Sequence, residues 1–312
     1  MKRSLAVLTA SALALAAGVC FTPATHAMAA PARPAADEVG ATYKKLMDTV
    51  GPALVTVKFV MKFDGGPMGG DEAGRDVETT GLMMEAGGLV LVSNAKMGGM
   101  ASRMGMTANP TSIKVLIGDD TEGLKAKILA RDSDLDLCWI QVDDEKGKGK
   151  TFTAVDFAAS TTAAVGDKLF VVERMGKFFD HALSVDEGRV GGNTKKPRPL
   201  MIPAGFGGSQ REMLGAPMFG ADGKVVGWNI LQMPDKEDME GGEQGGEGSF
   251  GILLLPAAEV VKATVRGKEM AAKNPPKAEE EKKAEDKKDE KAEKPATPTP
   301  PAEKKPEAPK KP

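Results

Sequence analysis

A chain of 312 residues has room for one large domain or two small ones, and 41% hydrophobic residues suffice for a sizeable core. With 42 basic and 44 acidic residues the formal net charge is -2, so no global field draws the chain to nucleic acid or to anionic lipid. Two Cys and two His exclude a disulfide framework and a zinc site of several Cys and His ligands, and nothing points to a metal or cofactor.

Lys2 and Arg3 precede an apolar run that extends to about Phe21, and Ala27-Met28-Ala29 offers the small-x-small pattern of a cleavage site. Residues 1–29 therefore read as an export signal, which places the protein in a bacterial periplasm, cell envelope or medium. The run is shorter than a spanning helix needs and ends at Pro23, and no later segment is long enough, so no membrane insertion is expected. Cys20 opens the alternative of a lipoprotein signal, against which Val19 stands where a small residue is wanted. Cleavage after Ala29 would leave one thiol, Cys138, and one imidazole, His181.

Two flanking segments, 36–50 and 256–273, carry apolar residues at helical spacing, the second with Pro256 where a first helical turn tolerates it. Between them short apolar runs recur with turn residues between: 53–59, 81–84, 89–92, 113–117, 126–129, 137–142, 168–172, 183–185, 217–219, 225–230 and 251–255. Gly220-Ala221-Asp222-Gly223 supplies a hairpin turn, and the stretches 64–78 and 233–249 read as mobile loops rich in Gly and charge. The pattern is all-β, and about a dozen strands suit a pair of antiparallel barrels better than one sandwich. The boundaries are a first barrel over 37–150, a second barrel with its closing helix over 151–273, and a disordered tail of Lys, Glu, Ala and Pro over 274–312.

The stretch from Thr80-Gly81-Leu82 through Gly87-Gly88-Leu89 to Val92-Ser93-Asn94-Ala95 resembles, without a gap, the segment that ends in the catalytic histidine of trypsin-like serine proteases of the HtrA/Deg type. Arg131-Asp132-Ser133-Asp134-Leu135-Asp136 is similar to the family's segment carrying the aspartate. Gly215-Ala216-Pro217-Met218-Phe219 with Asp222-Gly223-Lys224-Val225-Val226-Gly227 is similar to its block around the serine, and Gly251 to Pro256 to the entry of its closing helix. The resemblance covers roughly 37–273 and implies two six-stranded antiparallel barrels. The PDZ domain usual in such proteases has no counterpart here, where the charged tail stands instead.

The family's chemistry needs a serine nucleophile, a histidine base and a carboxylate that orients it. Carried over by position, Ala95 stands for the histidine, Leu214 for the serine, and only Asp136 remains. Neither Ala nor Leu supplies a base or a nucleophile, and Glu212-Met213-Leu214-Gly215-Ala216 replaces the small and polar residues of the oxyanion loop. A relocated pair, Ser209 with Lys96, is the alternative; a lysine base needs burial to lower its pKa, and nothing in the sequence marks Lys96 as buried. His181 reads as a loop histidine with a catalytic role as the alternative, Cys138 as a core thiol before a nucleophile, and Asp136 as either a structural carboxylate or part of a ligand site. The expectation is an inactive protease homologue that binds peptide or unfolded protein segments or acts as a scaffold; an active endopeptidase is the competing reading. An oligomer is implied by the resemblance alone.

Overall fold

The structure, a computed structural model, describes residues 36–64, 74–103, 105–207, 213–233 and 251–273. The expected export signal, the charged tail, Ser209, Glu212 and most of the two stretches expected to be mobile loops lie outside the described residues.

Helix α1 (Ala36–Val50) leads into six strands: β1 (Leu54–Asp64), β2 (Arg75–Glu85), β3 (Leu89–Ser93), β4 (Thr107–Ile117), β5 (Leu124–Asp132) and β6 (Leu137–Val142). They close into a barrel in the order β1-β2-β3-β6-β5-β4. Six more strands, β7 (Lys168–Arg174), β8 (Leu183–Asn193), β9 (Met201–Ala204), β10 (Pro217–Phe219), β11 (Val225–Gln232) and β12 (Gly251–Pro256), close into a second, in the order β10-β11-β12-β9-β8-β7. All the strand pairs are antiparallel. Closure leaves no long sheet edge, which is how small all-β domains avoid pairing with other chains. The expected two-barrel architecture is therefore present.

Between β3 and β4 the chain makes a wide helical turn, Ala95–Gly99, followed by the short helix α2 (Met100–Arg103). Helical structure is thus not confined to the flanks. Pro256 is the last residue of β12 and α3 (Ala257–Lys273) starts after it, so the proline precedes the helix and does not open its first turn. The turn read at residues 220–223 joins β10 to β11: Gly223 N–H donates to Gly220 O at 2.9 Å, with Gly223 at φ +79°.

One apolar core runs from the first barrel across the junction. It joins Leu54, Val57, Leu91, Val92 and Ile140 to Phe170, Phe219, Trp228 and Leu255 of the second barrel and to Val260 of α3. A smaller cluster, including Leu169, Val171, Met201, Met218 and Leu254, fills the second barrel. This explains why every residue of β3 is buried: one face meets its own barrel, the other meets the junction.

Helix α3 leaves the second barrel and straps onto the first. Trp139 Nε1 donates to Thr264 Oγ1 at 3.0 Å, Thr264 Oγ1 donates to Val260 O at 2.8 Å, and both side chains are buried. A Cβ on Gly267 would lie 3.2 Å from the Trp139 ring, so glycine lets the helix approach. Thr264→Val keeps the shape but orphans the indole N–H; urea denaturation is expected to show a loss of about 1–3 kcal/mol. An unchanged midpoint would mean that the strap does not hold the barrels.

Candidate functional site

The site is built at the end of β3, where the apolar run gives way to Ser93-Asn94. In the wide turn that follows, Met97 N–H and Gly99 N–H both donate to Asn94 O, at 3.1 and 2.8 Å. A Cβ on Gly99 would sit 2.2 Å from Asn94 Nδ2, so no larger residue fits. From β5, Arg131 donates through NH1 to Asn94 Oδ1 at 2.7 Å and to Met97 O at 2.9 Å. The guanidinium thereby fixes the position of Ala95.

The rest of the motif Arg131 to Asp136 divides the remaining work. Asp132 Oδ1 accepts from Asp134 N at 3.1 Å and Leu135 N at 3.0 Å, a side-chain-capped turn that reverses the chain. Asp136 then adopts the left-handed region at φ +54°, which aspartate tolerates better than most residues. Its carboxylate accepts from Ser93 Oγ at 2.9 Å, from Ala95 N at 2.6 Å and from Leu231 N at 2.9 Å. The first two donors belong to the first barrel and the third to β11, so this one buried carboxylate ties the barrels together.

On the other side, Gly215 at φ +71° ends the turn Met213-Leu214-Gly215, with Gly215 N–H donating to Asn229 O at 2.9 Å. A Cβ on Gly215 would lie 2.9 Å from Ser93 Cβ. Leu214 is buried. The structure thus brings the Ala95, Asp136 and Leu214 segments to one junction. Beside Asp136 lies a small pocket lined by Asn94, Ala95, Gly99, Met100, Ser133, Asp136 and Leu231, with about 10 Å³ open to the centre of a water molecule. That is about the room one water needs.

Lys96 departs from expectation. It is half-buried, and burial lowers its pKa, opposed by the negative charges of Glu173 and, less, of Asp136. Glu173 lies on β7, so a charge of the second barrel acts on Lys96. His181 lies in the β7–β8 connection at φ +53°, where Nε2 is 4.0 Å from Glu78 Oε2. Cys138 is fully buried on β6 and its thiol is pushed up to about 11, mainly by desolvation. At pH 8 about one part in a thousand is thiolate, so a chromogenic disulfide reagent is expected to spare Cys138 in the native protein and to label it after unfolding. Rapid native labelling would contradict this burial. Among the described residues no group of three or more His, Cys, Asp or Glu could hold a metal ion.

Sequence reasoning missed Ser93, Asn94 and Leu231. A serine and an asparagine closing an otherwise apolar strand are a visible signal for the first two; Leu231 contributes a backbone N–H, which no side-chain pattern reveals.

Residues 79–227 match the family model of the trypsin-like peptidase domain. The double barrel is trypsin-like. Solved structures similar to it include the apo protease domain of MamO from Magnetospirillum magneticum, 20% identical over 69% of this chain and 97% of that one, with a TM-score of 0.44. Another is the HtrA-type protease AlgW with a tripeptide, 15% identical over 73% of this chain, with a TM-score of 0.46. This chain spans 64% of the AlgW chain. No curated protein matches the sequence. Among the described residues no helix is long and apolar enough to cross a membrane.

Proposed function

We propose that this trypsin-like double barrel is a non-catalytic homologue of serine proteases, exported to the cell envelope, that holds extended peptide or unfolded protein segments in its cleft. The observation that carries the reading is the junction itself: the orienting carboxylate is in place on Asp136, while Ala95 and Leu214 offer it neither a base nor a nucleophile. Fold alone would not decide the matter, since one scaffold serves many functions. Peptide capture is favoured by the edge of β11. Its register with β12 runs to Gln232, whereas its register with β10 ends at Trp228. Beyond Asn229 that side has no strand partner among the described residues; Leu231 N–H is taken by Asp136, so strand addition by an extended peptide there relies on the other backbone groups of this edge.

The lowered pKa of Lys96 favours one second reading, an endopeptidase using Lys96 as base and Ser209 as nucleophile. One experiment separates the two. The purified protein is treated with a fluorophosphonate probe and with casein, beside a Ser209→Ala variant. The non-catalytic reading expects no labelling and no digestion, together with saturable binding of unstructured peptides by fluorescence polarisation. Labelling that Ser209→Ala abolishes would overturn it.

A further inference from the structure

We propose that the β8–β9 hairpin is a docking surface for an anionic lipid bilayer. The inference goes beyond peptide capture and does not rest on it. The near-neutral charge of the whole chain hides a local imbalance: from Gly188 to Gly207 the sequence carries Arg189, Lys195, Lys196 and Arg198 and no Asp or Glu. Three of these cations fall within four residues at the hairpin tip, between Asn193 at the end of β8 and Met201 at the start of β9. None of the three takes part in an ion pair among the described residues. The tip is also held in shape. Thr194 N–H donates to Leu200 O at 2.8 Å, Leu200 N–H to Thr194 Oγ1 at 3.1 Å, and Thr194 Oγ1 to Arg198 O at 2.8 Å. Lys195 and Lys196 are exposed and Arg198 partly so, and contact with a charged surface therefore costs little backbone ordering.

Apolar surface beside the tip decides between polyanions. Ile202 is 39% exposed on β9 and is paired with Gly192 of β8, where a Cβ would lie 3.4 Å from Ile202 Cδ1, so no side chain of that partner covers it. Val165, 58% exposed, stands on the other side of β8, where Gly166 N–H donates to Val190 O at 2.8 Å. Arg189 NH1 donates to Gly166 O at 3.0 Å and keeps a cation between them. The acids nearest this face are engaged: Glu187 with Lys168 at 3.7 Å, and Asp167 Oδ2 with Ala164 N at 2.7 Å. A bilayer offers phosphate charge to the tip and an apolar boundary beneath it to Ile202 and Val165, the two contributions that hold proteins at a lipid interface. A nucleic acid or an acidic protein would match the charge and leave the two apolar side chains without a counterpart. Each cation near an anionic surface is worth about fivefold in partition at low salt, so the three at the tip give roughly a hundredfold. The acidic remainder of the chain opposes this, which makes the contact reversible and sets its orientation.

The test is vesicle sedimentation at low ionic strength. The chain from Ala30 onward is mixed with large unilamellar vesicles of phosphatidylcholine alone, or of phosphatidylcholine and phosphatidylglycerol in a two-to-one ratio. Partition onto the mixed vesicles at least tenfold above that onto the neutral ones is expected, and added salt should abolish the difference. Reversing the tip with Lys195→Glu, Lys196→Glu and Arg198→Glu should lower partition at least tenfold. The same charge change at Lys62, Lys114 and Lys150, exposed cations of the first barrel, should lower it less than threefold. Urea midpoints check that both triple variants fold, with Lys195→Gln and Lys196→Gln as the milder pair should the tip variant fail. Orientation is read from an environment-sensitive fluorophore on Ile202→Cys, since Cys138 is fully buried. Its emission should move to the blue on the mixed vesicles, and that of a label on Lys150→Cys should not. Equal binding to both kinds of vesicle, or an equal loss in the two triple variants, would overturn the proposal. A tip variant that binds like the parent would also overturn it and assign the contact to the lysines of the tail. Retention on polyglutamate or duplex DNA without binding to vesicles would do the same in favour of another polyanion, and a blue shift at position 150 and not at 202 would place the bilayer elsewhere.

Discussion

Asp136→Ala is expected to cost about 3–5 kcal/mol of unfolding free energy, the range seen when one partner of a buried charged network is removed. The side chain is 3% exposed and accepts three bonds. Truncation strands the Ser93 hydroxyl, already fully buried, and two backbone N–H groups, one of them Leu231 N in the second barrel. Each stranded donor costs about 1–3 kcal/mol where water does not reach it. Alanine must also adopt φ +54°, which costs a non-glycine residue about 1 kcal/mol more. Asp136→Asn separates these effects: it tolerates the left-handed backbone and keeps one acceptor oxygen, but turns an amide N–H₂ toward at least one donor, so a loss of about 1–2 kcal/mol is expected. Denaturation midpoints for the three proteins check the order. If Asp136→Ala unfolds within 1 kcal/mol of the parent, the carboxylate does not join the barrels.

That pivot was only half legible in the sequence. Asp136 could be placed by its spacing from Arg131, and Ala95 and Leu214 by their motifs, because those positions lie in locally determined turns. The partners of Asp136 could not, since Leu231 reaches it across 95 positions of sequence. The strands show the same division. β6, read at 137–142, and β10, read at 217–219, match their expected spans because their apolar runs end where pairing ends. β9 was missed: four residues with Pro203 in the middle carry too little pattern, and its place is set by pairing to β8 and β12. β8 was read over three residues of a strand that is eleven long. Its Asp186, Glu187 and three glycines break the alternation, yet a Cβ on Gly188 would meet Phe206 at 2.4 Å and Ala204 O at 2.5 Å, so glycine is what lets the neighbouring segment close in. The burial of Lys96 was likewise invisible, because nothing in its local sequence marks it.

Gly215→Val is expected to match Asp136→Ala in size, at about 3–5 kcal/mol, for a different reason. Two terms add. At φ +71° a β-branched residue is strained by about 1–2 kcal/mol whatever surrounds it. A Cβ there would also meet Ser93 Cβ at 2.9 Å and Ser93 N at 3.2 Å, closer than packed atoms tolerate. Ser93 cannot yield freely, because its hydroxyl is bonded to Asp136 and its strand is buried along its whole length. Overpacking such a contact costs about 1–3 kcal/mol, and relief must come from moving the Leu214 turn away from the first barrel. Gly118→Ala isolates the backbone term, since Gly118 also has positive φ, at +60°, and nothing lies within 4 Å of a Cβ there; its expected cost is about 1 kcal/mol. Urea unfolding of Gly215→Ala, Gly215→Val and Gly118→Ala should rank them in the order Val, Ala, control, with the excess over the control measuring how tightly the two barrels close at the Leu214 turn. If Gly215→Ala costs no more than the Gly118 control, the Leu214 turn gives way at no cost, and the cleft is wider than the contact with Ser93 implies.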